Sequence, residues 1–176
     1  MSDERLILVT GASGYVGGRL VTSLLADKAK VRVFVRDANK AQSHSWANDV
    51  EIAVGNATDY QSTIKALTGV HTAFYLLHSI NLGPNFDQIE SEMARNFAKA
   101  AQECGVKQIV YLGGINNDAK TSKHLQSRAN TGKELATTSV AVMELRAGII
   151  IGSGSASFEM LRHLTHRLPI MTTPKW

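Results

Sequence analysis

The 176-residue sequence is poor in several things, and each shortage excludes something. It has one cysteine, Cys104, so an intramolecular disulfide and a cysteine-rich zinc site are both ruled out. Cys104 falls on the apolar side of a helix-like segment and is expected to be a buried structural thiol. Only three prolines occur, Pro84, Pro169 and Pro174, and all fall outside the expected strands and helices, as the missing N–H requires. No apolar run approaches the roughly 20 residues that a membrane-crossing helix needs, and no positive stretch precedes an apolar one at the start. A cytoplasmic protein without a membrane span is expected. No block of like charge occurs either. The net charge of +4 comes from scattered Lys and Arg, which argues against nucleic-acid binding. The six histidines are dispersed without ligand spacing, so no metal site is expected. What is present, 44% hydrophobic and 19% charged residues, is the composition of one globular domain with a substantial core.

Short β-branched runs alternate with longer segments of helical period along the whole chain. Strands are expected at 5–10, 30–35, 50–54, 72–77, 107–112 and 140–146. Helices are expected near 15–26, 37–46, 60–67, 86–104, 123–137 and 157–167. Near-continuous apolar strands indicate a sheet buried on both faces, hence mainly parallel, with helices covering each side. Six repeats of strand and helix predict an α/β doubly wound fold.

The most specific motif is VTGASGYVGG, residues 9–18, which leaves the first strand and opens the first helix. Gly11, Gly14 and Gly17 carry the spacing G-x-x-G-x-x-G. In this context Gly11 allows the sharp turn, Gly14 lets backbone approach a pyrophosphate, and Gly17 is expected to let the helix pack close to the sheet. The helix N-terminus then offers unpaired N–H groups to phosphates. The second strand ends VFVRD, with Arg36 at its tip and Asp37 beyond. An acidic residue at the tip would bind the adenosine ribose hydroxyls of NAD. A guanidinium instead matches a 2′-phosphate with two parallel hydrogen bonds, so NADP(H) is favoured over NAD(H). The competing reading makes Arg36 a solvated strand end and Asp37 a helix cap.

The stretches TGASGYVGGRL, VFVRD, GNATD (55–59), YLLHS (75–79), IVYLGG (109–114) and ELRAGIIIGSGSASFEMLRHL (144–164) together resemble an atypical, extended short-chain dehydrogenase/reductase. The resemblance is to the NAD(P)H-binding NmrA-like branch, which includes bacterial nucleoside-diphosphate-sugar epimerase-like proteins, and it covers essentially the whole chain. It implies a Rossmann fold; Ser13, Tyr15 and Val16, in the same loop as the three glycines, are expected at the cofactor, with Tyr15 covering it rather than reacting. It also implies Asn56 and Ala57 at adenine, where the family usually has Asp at the first position, and Leu76, Leu77 and His78 along the adenosine and ribose. Residues 1–176 are expected to be the cofactor domain of a longer chain, with the C-terminal substrate subdomain largely absent.

The family's catalytic tyrosine stands four residues before a lysine. In SRANTGKEL (127–135) the lysine is Lys133, but the earlier position is Ala129, which cannot donate a proton. Lys133 is expected to hold the nicotinamide ribose or to act in its own right; it also fits a solvated helix residue. His78 is a second catalytic candidate because histidine titrates near neutrality. Ser79, Asn116 and Asn117 also lie at strand ends, where ligands sit in open α/β sheets. Tyr75 and Tyr111 fall inside strands and read as core. The leading expectation is an oxidoreductase acting on a small carbonyl or quinone-like acceptor without the usual tyrosine. The alternatives are a non-catalytic NADP(H)-sensing regulator and a nucleotide-sugar epimerase or dehydratase. Partners are a small-molecule substrate or redox acceptor, with a homodimer allowed.

Overall fold

In the computed structural model, residues 5–78, 85–115 and 122–168 are described. The chain divides into a unit spanning residues 1–146 and a second spanning 147–176. The larger unit runs β1 (Leu6–Thr10), α1 (Tyr15–Ala26), β2 (Lys30–Val35), α2 (Ala38–Gln42), a 3-10 turn (Ala47–Asp49), β3 (Glu51–Val54), α3 (Tyr60–Leu67), β4 (Val70–Tyr75), α4 (Phe86–Glu103), β5 (Gln108–Gly114) and α5 (Lys123–Leu135). β6 (Ala141–Ala147) follows, and the smaller unit holds α6 (Ala156–Arg167), whose start is capped by Ser155 Oγ accepting from Phe158 N.

The strands form one six-stranded parallel sheet in the order β3-β2-β1-β4-β5-β6. This is the strand order of a Rossmann fold, in which the chain reverses its direction of winding between β1 and β4. Alternation along each strand splits the core across the two faces. Leu8, Phe34, Ala73, Tyr75, Ile109 and Tyr111 pack against α3, α4 and α5. Val9, Val33, Val35 and Phe74 pack on the other side against Val21 of α1, Ala41 of α2 and Trp46. Tyr75, Phe97 and Tyr111 have at most 1% of their surface exposed, so each contributes about 1.5–3 kcal/mol of burial. The two tyrosines are core residues, as their place in the strands predicts.

Four differences from the expected pattern have local causes. The helix expected at 37–46 is only Ala38–Gln42, because Trp46 turns inward to 4% exposure and the chain continues as a 3-10 turn. β4 begins two residues earlier than expected, at Val70, immediately after Gly69 with φ +76°. β6 is less buried than a central strand: Met143 and Leu145 are about half exposed, which its place at the sheet edge explains. Cys104 is half-buried, and its thiol donates to Ile64 O. Among the described residues no helix is long and apolar enough to cross a membrane.

Candidate functional site

The parallel strands place all their carboxyl ends on one edge of the sheet. A cleft of about 760 Å³ opens there over β1, β2, β3 and β4. Its floor is the glycine loop Gly11–Gly14, and Phe34, Val35 and Arg36 line it from β2. Gly55 through Thr58 follow β3, Leu76, Leu77 and His78 follow β4, and Ile89 and Met93 reach in from α4.

Two glycines of the loop are required by close approach. Gly11 has φ +65°, and a Cβ there would lie 2.7 Å from Leu76 O. A Cβ at Gly17 would lie 2.2 Å from Gly11 O and 2.9 Å from Ala12 Cα. The first turn of α1 therefore closes tightly onto the loop that ends β1. Gly14 is the N-cap of α1, so no side chain satisfies the helix start. By contrast α2, α3, α5 and α6 are each capped by a side-chain oxygen, from Asp37, Asp59, Ser122 and Ser155. The open start of α1 thus meets the cleft with N–H groups available to an anion.

At the tip of β2 the two neighbouring charges divide their work. Asp37 Oδ1 accepts from Asn39 N at 2.9 Å and Lys40 N at 3.2 Å, so this carboxylate is a helix cap. Arg36 is exposed on the cleft wall and has no ion-pair or hydrogen-bond partner among the described residues. Asn56 Oδ1 accepts from Thr58 N at 3.2 Å, and Asn56 O accepts from Asp59 N and Ser62 Oγ. This turn fixes Asn56 and Ala57 on the cleft wall.

β1 and β4 are joined at the cleft by Thr10, which is fully buried. Its hydroxyl donates to Phe74 O at 3.0 Å and accepts from Leu76 N at 2.9 Å. His78, two residues on, has an exposed surface, yet the atoms around its ring desolvate it. That desolvation, followed by the charge of Arg128, lowers its pKa to about 4, with Glu90 opposing. Arg128 Nη2 lies 2.9 Å from His78 Nε2 and 3.1 Å from Leu112 O. Beneath it, buried Glu90 of α4 accepts from the hydroxyl of buried Ser127 of α5.

The structure brings Gly11, Ser13, Gly14, Arg36, Asn56, Ala57, Leu76, Leu77 and His78 together around one cleft. Tyr15, Val16 and Gly17 stand behind the loop in α1, with the Tyr15 ring under the Arg19 guanidinium at 4.6 Å. Lys133 is exposed in the last turn of α5 and does not line the cleft; Ala129 is half-buried one turn earlier. Ser79, Asn116 and Asn117 lie outside the described residues. Phe34, Val35, Thr58, Ile89 and Met93 line the cleft unannounced. Ile89 and Met93, four apart on one helix, carried a signal in their spacing.

A parallel sheet with a glycine-lined cleft across its reversal point defines a Rossmann-type dinucleotide-binding chain. Residues 3–134 match the NmrA-like family, and the chain belongs to it. Citrobacter sp. triphenylmethane reductase, solved with NADP(H), is 25% identical with a TM-score of 0.72, over 91% of this chain and 54% of that one. The NADPH-dependent quinone oxidoreductase of Escherichia coli, complexed with NADPH, is 27% identical with a TM-score of 0.68, over 80% of this chain and 48% of that one. An NmrA-like family domain-containing oxidoreductase from Malbranchea aurantiaca is 29% identical over 139 residues, 75% of this chain and 41% of that protein. The chain thus spans about half the length of the solved relatives and about two-fifths of the Malbranchea aurantiaca protein.

Proposed function

We propose that this chain binds NADP(H) across the cleft and acts as the cofactor domain of an oxidoreductase for a small carbonyl or quinone-like acceptor. The observation that carries the reading is the unpaired Arg36 on the same cleft wall as the uncapped start of α1. The donor set fits the group: N–H groups for the pyrophosphate, a guanidinium for a 2′-phosphate, and the 55–58 turn on the cleft wall for adenine. Bound NADPH would supply a hydride. The residues of this chain hold and orient it, and Leu76, Leu77, Ile89 and Met93 keep water from one wall of the cleft. Two relatives at 25% and 27% identity, solved in complex with NADP(H) and NADPH, support the same cofactor.

Titration with NADPH and NADH tests the reading, followed by hydride transfer to a panel of quinones and aldehydes. We expect NADPH to bind about 10- to 100-fold more tightly, because charge-assisted hydrogen bonds to the 2′-phosphate contribute roughly 1.5–3 kcal/mol. Equal affinities would remove Arg36 from the site. A second reading, a sensor of the NADP(H) state without turnover, is supported by Ala129 and by the exposed position of Lys133. NADPH binding without oxidation by any acceptor would select it. The epimerase reading needs the tyrosine that Ala129 replaces.

A further inference from the structure

Resting on the reading of the cleft as an NADP(H) site, we propose that Arg128 is a positioning residue that fixes His78 as a neutral imidazole protonated on Nδ1. That Nδ1–H then donates a hydrogen bond to an oxygen of the bound dinucleotide.

A guanidinium has donors and no acceptor, so the 2.9 Å contact from Arg128 Nη2 requires a lone pair on His78 Nε2. A neutral ring with a lone pair on Nε2 carries its proton on Nδ1. The guanidinium is itself held in place. Its Nη2 also donates to Leu112 O at 3.1 Å, and the Tyr111 hydroxyl donates to Arg128 O at 2.9 Å, tying this turn of α5 to β5. Its shaft packs beside Gly114, where a Cβ would lie 3.4 Å from Arg128 Cδ and 2.8 Å from Leu125 Cδ2. Arg128 Nε is buried with no hydrogen-bond partner among the described residues. A buried, unmade hydrogen bond is a cost that packing alone does not explain. On the other edge of the ring, His78 Nδ1 has no partner among the described residues, and His78 lines the cleft beside Leu76 and Leu77.

Two charged groups face the ring, Arg128 from α5 and Glu90 from α4, and the hydroxyl of Ser127 donates to Glu90. Desolvation and Arg128 hold the ring neutral at physiological pH against the pull of Glu90. A general acid or base works best with a pKa near the working pH, and His78 lies well below it. A fixed neutral donor has no such requirement.

The test has two arms. With 15N-labelled histidine, long-range proton–nitrogen spectra of the cofactor-free protein should show His78 protonated on Nδ1, bare on Nε2, and not titrating between about pH 5.5 and 8. In Arg128→Met the titration should move up toward the ordinary value of about 6.5 and the Nδ1 form should lose its dominance. Arg128→Lys, which keeps the charge and a donor, should restore part of the wild-type behaviour. A wild-type ring protonated on Nε2, or one titrating near 6.5, overturns the assignment even if Arg128→Met fails to fold. In the second arm, His78→Asn keeps an N–H at the Nδ1 place and should bind NADPH nearly as well as wild type. His78→Leu should bind about 3- to 10-fold more weakly, the range for one neutral hydrogen bond. Equal affinity of the two variants overturns the donor role. Failure of the wild type to bind either dinucleotide overturns the reading of the cleft, and the donor role with it, whereas the spectra test the Arg128 contact independently.

Discussion

Arg36 and Asp37 are neighbours of opposite charge, and their surroundings give them different tasks. Asp37 is committed to two backbone N–H groups of α2, which leaves Arg36 as the charge presented to the cleft. Arg36→Asp should therefore weaken NADPH by about 1.5–3 kcal/mol and leave NADH nearly unchanged, read as dissociation constants for both cofactors. A parallel loss for the two would mark Arg36 as a solvated bystander. Gly17 makes a different kind of prediction, because its neighbour is immovable backbone. A methyl group placed 2.2 Å from Gly11 O must push the loop and helix apart. Gly17→Ala should cost about 1–3 kcal/mol of stability and abolish tight cofactor binding. Wild-type affinity in a normally melting Gly17→Ala variant would contradict the loop geometry.

Among elements, the decisive junction is between β1 and β4. Parallel pairing brings the two strands together, and Thr10 then bonds across their ends through one buried hydroxyl. Thr10→Val keeps the shape but leaves the Leu76 N–H without its acceptor. The variant should lose about 1–3 kcal/mol in urea unfolding, and cofactor affinity should fall as well, because Leu76, Leu77 and His78 form that wall. A stability loss with unchanged affinity would mean that the wall holds itself. α5 illustrates how an element's rotation decides which residue serves the site. Ser127, Thr131 and Leu135 bury one stripe of the helix, and Gly132 fits beside Tyr111, where a Cβ would sit 3.4 Å from the ring. That rotation carries Arg128 toward His78 and Leu112, while Lys133 points to solvent.

For the larger unit as a whole, acid should be destabilising before the carboxylates titrate. His78 has a folded pKa lowered to about 4, against about 6.5 when unfolded, so the unfolded chain binds more protons between those values. Stability is retained above about pH 6.5 and falls as pH drops through the window toward 4; the exposed surface of the ring reduces the size of the effect. Urea midpoints at pH 7.5 and 5.0 check this, with His78→Asn expected to flatten the difference. An unchanged slope in that variant would place the proton uptake elsewhere.

The sequence by itself determined the features that depend on neighbours in the chain. Alternating apolar runs and helical segments dictate a doubly wound sheet, the glycine spacing dictates the loop, and the Asp37 carboxylate finds its cap partners within three residues. Most of the cleft was legible for the same reason, since Arg36, Asn56 and Leu76–His78 each sit at a strand end and strand ends share an edge. Only the tertiary structure decided the rest. Ile89 and Met93 reach the cleft because α4 crosses it, and Arg128 meets a histidine 50 positions away. A helix turns about 100° per residue, so a shift of one position, from Ala129 to Arg128, changes which side chain faces the strand ends. What sets that angle is burial against α4, β5 and β6, contacts distant in sequence that no local spacing can specify.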